Sequence, residues 1–181
     1  MSTISKKLTR YLTEVVYIRF DEQMITVRAV RAHREFSCPA VVGLTENGIP
    51  ILGDEVQTSV QNGIKAQVIS CFDHPRLIFA DSSAVISLVK YCLDHLFPRF
   101  VPGPRLSFIF HPQRQGFGLL TPVELDAFDQ IGRFLHASHT QVWMGANLAD
   151  DELLGTLPEV KGRLYDTKVN YTARKLMKDP G

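Results

Sequence analysis

The protein is a chain of 181 residues that carries 20 Lys and Arg against 19 Asp and Glu, for a formal net charge of +1. Its hydrophobic fraction of 45% and charged fraction of 22% are those of a packed globular protein, which excludes intrinsic disorder for most of the chain. The near-neutral charge argues against a general nucleic-acid binder, because such proteins carry a basic surplus.

The N-terminal residues 1–14 have the pattern of an amphipathic helix. Apolar residues recur every three to four positions, and basic residues lie elsewhere on the helix; the apolar set is Ile4, Leu8, Leu12 and Val15, and the basic set is Lys6, Lys7 and Arg10. Such a helix would either lie on an anionic membrane surface through its basic residues or pack on its own domain. No secretory signal and no transmembrane run is predicted, since no stretch of 18 apolar residues occurs.

The first half of the domain alternates apolar and polar residues, as strands do. A β-hairpin is predicted with arms at residues 15–20 and 24–30 around the turn Asp21-Glu22-Gln23. The elements predicted next are a strand at 36–44, a turn at 45–48, a short return strand at 49–53, a helix at 54–61 and a strand at 65–71. The cysteines Cys38, Cys71 and Cys92 form no CxxC pair, so we expect buried thiols in a reducing, cytoplasmic compartment.

The second half alternates strands and helices. Asp81 caps a helix that ends before Pro98, and residues 105–110 form a buried strand. Thr121 and Glu124 form a capping box for the next helix, whose predicted core face is Val123, Ala127, Phe128, Ile131, Phe134 and Leu135. A last strand spans 141–144. Residues 15–145 therefore predict one α/β domain, with antiparallel early strands and parallel later ones, followed by a C-terminal extension at 146–181 that is partly a basic helix.

This order of elements resembles the first domain of the actin-like ATPases, in particular the bacterial actin MreB. Three stretches carry the resemblance: FSCPAVVGLTENGIPILGDE at 36–55, residues 67–97 with Phe79-Ala80-Asp81 before a long helix, and residues 105–144 with the helix start Thr121-Pro122-Val123-Glu124. The resemblance implies a ribonuclease-H-like mixed sheet flanked by helices. In that family two such domains enclose a nucleotide cleft.

The phosphate-binding turn of that family is altered in this sequence. Its members open with a hairpin turn of Asp-Leu-Gly-Thr type, in which glycine admits the phosphates to the backbone N–H groups. Here Arg19 stands where the acid should be, and Asp21 and Glu22 stand where glycine and threonine should be. No second copy of the domain follows residue 145. The sequence therefore predicts a half-molecule that neither binds nor hydrolyses nucleotide, with no cofactor and no metal.

Glu124 is the one residue that matches a catalytic position of the family, the glutamate that positions the attacking water. The capping box with Thr121 explains the same residue without catalysis, and we favour that interpretation. Glu124 thus remains the residual catalytic candidate.

Other chemistry-bearing residues indicate partner binding more than catalysis. His136 and His139 are three positions apart, but no further ligand motif accompanies them. His111 lies at a strand end, where α/β sheets bind ligands, although a loop histidine is the simpler interpretation. Phe117, at the tip of a Gly-Phe-Gly loop, is predicted to anchor another protein, as are Arg174 and Lys175 of the basic C-terminal stretch.

Together these observations predict a non-catalytic, actin-like protein-interaction module. The resemblance to MreB suggests an adaptor or regulator of a filament or of a cell-envelope assembly, in the cytoplasm or at the inner face of the membrane. Homo-oligomerisation is a further expectation, because actin-like subunits assemble through their surfaces. The alternative is a nucleotide-binding or ATPase subunit whose site is completed by a second chain.

Overall fold

The computed structural model describes residues 13–73, 77–79, 81–97, 104–113, 120–155, 157–158 and 161–168. It contains nine strands and four helices within these ranges. The strands are β1 (Thr13–Phe20), β2 (Met24–Ala29), β3 (Arg34–Pro39), β4 (Val41–Thr45), β5 (Pro50–Leu52), β6 (Ala66–Ser70), β7 (Arg105–Pro112), β8 (His139–Gly145) and β9 (Gly162–Asp166). The helices are α1 (Asp54–Gln61), α2 (Ser82–Leu96), α3 (Pro122–Phe134) and α4 (Asp150–Leu154).

Six strands form the main sheet, in the order β3-β2-β1-β7-β8-β9. The first three strands pair antiparallel, whereas β1, β7 and β8 are parallel neighbours, as the sequence predicted. The register sets Phe20 opposite Pro112 and Arg19 opposite His111. Because β1, β7 and β8 run in the same direction, their C-terminal ends meet at one edge of the sheet.

One face of the main sheet packs against α2 and α3. Alternate residues of β1, which are Val16, Ile18 and Phe20, face this side and join the larger apolar core. Phe128 of α3 is fully buried there and touches the rings of Phe110 and Phe79, with centroid distances of 4.9 and 5.3 Å. The fold is fixed mainly by this apolar layer, which also contains the three buried cysteines expected from the sequence.

A second, smaller sheet interrupts the predicted strand at 36–44. The chain leaves the main sheet after β3 and enters a three-stranded sheet of order β5-β4-β6. Ala40 lies at the crossing: its N–H donates to Gln23 O, and its carbonyl accepts from Cys71 N, at 2.7 and 2.9 Å. The prediction of one continuous strand over residues 36–44 is therefore wrong. Continuous hydrophobicity across Pro39 and Ala40 concealed the change of sheet.

The core face predicted for α3 is partly wrong. Val123 and Phe134 are 69% and 72% exposed, whereas Leu125 and Gly132 are buried. Helix and strand approach closely at Gly132, where a Cβ atom would lie 2.0 Å from Thr140 Oγ1. Because the helix approaches β8 at Gly132, the side of α3 that carries Leu125, Phe128 and Gly132 is buried, and the two end residues Val123 and Phe134 are exposed.

Part of the chain after residue 145 also belongs to the sheet. β9 pairs antiparallel with β8, and it lies in the C-terminal extension for which the sequence had predicted a partly basic helix. Asp129 of α3 is buried, with only 5% of its surface exposed. Its carboxylate accepts a hydrogen bond from Thr167 Oγ1 at 2.9 Å and forms an ion pair with Arg133. This contact ties the segment that follows β9 to α3.

Candidate functional site

The candidate site is the edge at which β1, β7 and β8 end. It comprises the β1–β2 turn, residues 111–113, residues 145–148 and the start of α3. In open α/β sheets, ligands bind beyond the carboxyl ends of the strands, so a ligand site is expected at this edge.

The β1–β2 turn closes on itself through Asp21. Asp21 Oδ1 accepts hydrogen bonds from the backbone N–H groups of Gln23 and Met24, both at 2.8 Å. Asp21 N in turn donates to Met24 O at 3.1 Å. This is an Asx-type turn, in which an acidic side chain takes the place of an external acceptor. The side chains of Asp21 and Glu22 are exposed, so two negative charges stand at the tip.

Gln113 bridges the ends of three elements at this edge. Its backbone N–H donates to Phe20 O at 2.8 Å, which holds the end of β7 beside the turn. Its side-chain Nε2 donates to Asn147 Oδ1 at 2.5 Å, which reaches the segment after β8. The edge is therefore held together by amide hydrogen bonds between its own residues.

Glu124 makes the capping contacts that the sequence predicted. Its Oε2 accepts from Thr121 N at 2.8 Å and from Thr121 Oγ1 at 2.7 Å, and its own N–H donates to Thr121 Oγ1 at 3.3 Å. These reciprocal bonds form a complete capping box. The carboxylate therefore has local partners that stabilise the start of α3.

A buried polar network lies under the same edge, on the second face of the sheet. Tyr17 Oη and His111 Nδ1 are 2.5 Å apart, and His111 Nε2 is 3.0 Å from Gly145 O. A carbonyl only accepts, so Nε2 carries the proton and Nδ1 accepts from the tyrosine hydroxyl. His111 is only 2% exposed, and burial lowers the pKa of its imidazole; the bond to Gly145 O opposes this effect, and Arg19 adds to it.

Arg28 extends this network to α4. Its guanidinium lies 5.3 Å from the centroid of the Tyr17 ring and donates to Leu148 O at 2.8 Å. Its Nε is 3.2 Å from Asp150 Oδ1, which is ion-pair distance without hydrogen-bond alignment. Burial raises the pKa of the Tyr17 hydroxyl, which stays protonated as a donor to His111. The network fixes residues 145–150 against the sheet.

Sequence reasoning missed this network, although part of its signal was available. Strand alternation puts Tyr17 on the face opposite Val16 and Ile18, and a parallel pairing of β1 with β7 brings it near His111. The pairing of the strands, however, was not specified by either segment alone. His111 was consequently interpreted as a loop residue, and that interpretation is wrong because the side chain is buried.

All of the predicted partner and membrane residues lie outside the described part of the chain. They are Lys6, Lys7, Arg10, Phe117, Arg174 and Lys175. The ranges that the structure describes contain no group of three or more His, Cys, Asp and Glu side chains placed to hold a metal ion. Within those ranges, no helix combines the length and the apolar character needed to span a membrane.

The described backbone of the turn differs from a phosphate cradle. A phosphate cradle needs backbone N–H groups that point at the ligand, and here those of Gln23 and Met24 point at Asp21. No glycine lies within the turn, and the side chains at its tip, Asp21 and Glu22, are negative. In this described turn, both N–H groups are therefore bonded within the chain.

Comparison with known proteins gives a structural neighbour but no sequence family. No family model matches the sequence, and no curated protein matches it. Among solved structures, a non-polymerising mutant of MamK bound to AMPPNP superposes with a TM-score of 0.51 at 12% sequence identity, over 72% of this chain. MamK is an actin-like ATPase. The fold is actin-like. It is an α/β, ribonuclease-H-like mixed sheet flanked by helices, as the resemblance implied. The chain spans about 40% of the MamK chain.

Proposed function

We propose that this protein is a non-catalytic, actin-like protein-interaction module that acts as an adaptor or regulator of a cytoskeletal or cell-envelope assembly. The observation that carries the proposal is the β1–β2 turn, where Asp21 occupies the N–H groups of Gln23 and Met24. An actin-like scaffold that lacks these donors retains its surfaces and loses its means of holding a phosphate.

Electrostatics supports the same conclusion. Asp21 and Glu22 lie at the tip of the turn, where a like charge at contact distance costs on the order of 1 kcal/mol in water and more where solvent is excluded. Binding of a triphosphate would have to overcome this repulsion and break two hydrogen bonds to Asp21. No described glycine in the turn compensates by letting the backbone approach the ligand.

Exposed apolar side chains support a role in protein binding. Val123 and Phe134 lie at the two ends of α3 and are 69% and 72% exposed. Aromatic residues are enriched among the anchors of protein interfaces. We assign the partner to the cytoplasm or the inner face of the membrane, with Phe117, Arg174 and Lys175 as further candidate contacts.

Sedimentation with anionic liposomes, with and without residues 1–14, tests the membrane contact of Lys6, Lys7 and Arg10.

The direct test is calorimetric titration of the purified chain with ATP and Mg²⁺. The proposal predicts no saturable heat at micromolar nucleotide. Titration with Mg²⁺ alone is the control, because exposed carboxylates bind the cation weakly. A micromolar dissociation constant for ATP with Mg²⁺ would overturn the proposal.

The second candidate is an ATPase subunit whose site is completed by another chain, and Glu124 is the observation that favours it. This residue lies in the first turn of α3, the helix that follows β7, at the same edge as the β1–β2 turn. Glu124→Gln preserves the capping geometry, so loss of an ATPase activity at unchanged melting temperature would favour this candidate. Thr121→Ala is the matched control, because it weakens the cap without removing the carboxylate.

A further inference from the structure

The two edges of the small sheet are built differently. The edge strand β5 has three residues and begins with Pro50, which has no N–H to offer a new strand. The other edge strand, β6, has five residues, AQVIS, with neither proline nor charge. Exposed edges are normally blunted by such features, because an unpaired strand edge is a template for another strand. Only β6 lacks them.

Two backbone hydrogen bonds show which groups of β6 point outward. Cys71 N donates to Ala40 O at 2.9 Å, and Gly53 N donates to Val41 O at 3.1 Å. Hydrogen-bonded pairs alternate along an antiparallel ladder, so even-numbered residues of β4 bond to β6 and odd-numbered ones to β5. With Val42 opposite Ile69 and Leu44 opposite Gln67, the outward main-chain groups on β6 are those of Ala66, Val68 and Ser70.

The side chains around this edge are apolar and exposed. Val68 is 51% exposed and lies opposite Gly43, on the face of the small sheet that packs against Val56 of α1. Leu44, Val60 and Ile64, each between 40% and 46% exposed, line a groove together with Ala66 at the start of β6, and Glu46 and Lys65 also border it.

We propose that β6 pairs antiparallel with β6 of a second copy of this chain. The outward groups belong to the first, third and fifth residues of the strand, so a two-fold axis at Val68 brings Val68 opposite Val68 of the partner subunit. The same axis sets Ala66 opposite Ser70 of the partner subunit, and all three pairs exchange main-chain hydrogen bonds. The strand carries no charge, so no like-charge repulsion opposes its pairing with itself.

The resulting assembly is a closed dimer with one continuous six-stranded sheet formed from the two small sheets. A two-fold interface uses the same surface on both subunits, so pairing occupies the β6 edge of each copy and this contact alone builds no filament. The proposal goes beyond the proposed function, because it concerns main-chain pairing along β6 and not phosphate binding. One end of the edge touches the β1–β2 turn, where Ser70 Oγ donates to Glu22 O at 3.4 Å. The axis at Val68 lies two residues from this contact, so the Val68 variants test the dimer and the nucleotide titration tests the turn.

The test is sedimentation equilibrium on the full chain with charges placed at the axis. The wild type is expected to be a dimer. Val68→Lys and Val68→Glu each place like charges opposite one another, and each is expected to weaken the dimer by at least about tenfold. An equimolar mixture of the two variants is expected to form a heterodimer, because residue 68 faces residue 68 only across a two-fold axis.

The matched control is Ile49→Lys, on an exposed side chain of the same small sheet that lies away from β6, and it is expected to leave the dimer intact. A measurement without mutation is amide hydrogen exchange of the wild type, in which the outward N–H of Val68 is protected at high concentration and exchanges on dilution. A monomeric wild type, dimeric Val68 variants, a mixture that fails to associate, or an unprotected Val68 amide would each overturn the proposal.

Discussion

The two faces of the main sheet are stabilised in different ways. The face that packs against α2 and α3 is an apolar layer whose aromatic rings interlock around Phe128. The opposite face combines a smaller apolar cluster with a polar network, in which Tyr17, His111 and Gly145 are hydrogen-bonded and Arg28 lies over the Tyr17 ring. The first face is held by the amount of buried apolar surface, which many sequences can provide. The second depends on the positions of a few polar atoms, and those atoms support the candidate site.

Phe128→Ala should have the largest effect, because it opens a cavity in the apolar layer. We expect a loss of about 3–5 kcal/mol in the free energy of unfolding, measured by urea denaturation. Phe134→Ala in the same helix is the control and should change stability by about 0.5 kcal/mol or less, since that ring is 72% exposed. Equal losses for the two variants would contradict the assignment of the core face of α3.

Tyr17→Phe should have the next largest effect, because it removes one atom from the polar network. His111 Nδ1 would then be buried without a donor, at a cost of about 1–3 kcal/mol in the free energy of unfolding. Tyr91→Phe is the control, since its hydroxyl is not part of the network. If the two variants unfold at the same urea concentration, the Tyr17–His111 bond does not stabilise the second face.

Protonation of His111 should weaken the second face at low pH. Its pKa in the folded protein lies below the usual value of 6.5, so below that pH the unfolded chain binds more protons than the folded one. The stability contributed by neutral His111 is therefore present above pH 6.5 and is lost as the pH falls through the folded-state pKa, by at most about 1.4 kcal/mol per pH unit.

The pH effect is measured from urea midpoints of the wild type and of His111→Gln, between about pH 7 and about pH 5. The difference between the two proteins isolates His111 from the other titrating groups. The wild type should lose more stability than the variant over this range. Parallel pH profiles would show that His111 is not titrated in the buried site.

Glu124→Gln should have the smallest effect, because glutamine also completes a capping box. We expect a change of less than about 1 kcal/mol in thermal unfolding, against about 1 kcal/mol for Thr121→Ala, which removes the N-cap. A loss larger than that of Thr121→Ala would mean that Glu124 has a structural partner beyond its own helix turn.

The sequence predicted those elements whose signals are local. Asp81 caps α2 by accepting from Ser83 N and Ala84 N, and Thr121 caps α3, as their positions before apolar periodicity indicated. The β1–β2 hairpin and its altered turn were predicted for the same reason, because side-chain alternation and turn composition are properties of a few neighbouring residues.

Features that depend on distant partners could not be predicted in this way. Val123 and Phe134 looked like core residues until the close approach of Gly132 to Thr140 fixed the rotation of α3. The burial of Asp129 was not predicted, because its partner, Thr167, is 38 residues away in a segment of weak pattern. The hairpin turn was predicted from its own residues, but the network beneath it required the pairing of β1 with β7.

The proposed loss of phosphate binding depends most on the two amide groups that Asp21 occupies. Their direct measurement is the backbone amide NMR spectrum of the full chain, with the signals of Gln23 and Met24 followed as ATP and Mg²⁺ are added. We predict that both amide signals stay where Mg²⁺ alone leaves them. Saturable shifts of these two signals with nucleotide would show that the turn binds phosphate and would contradict the account.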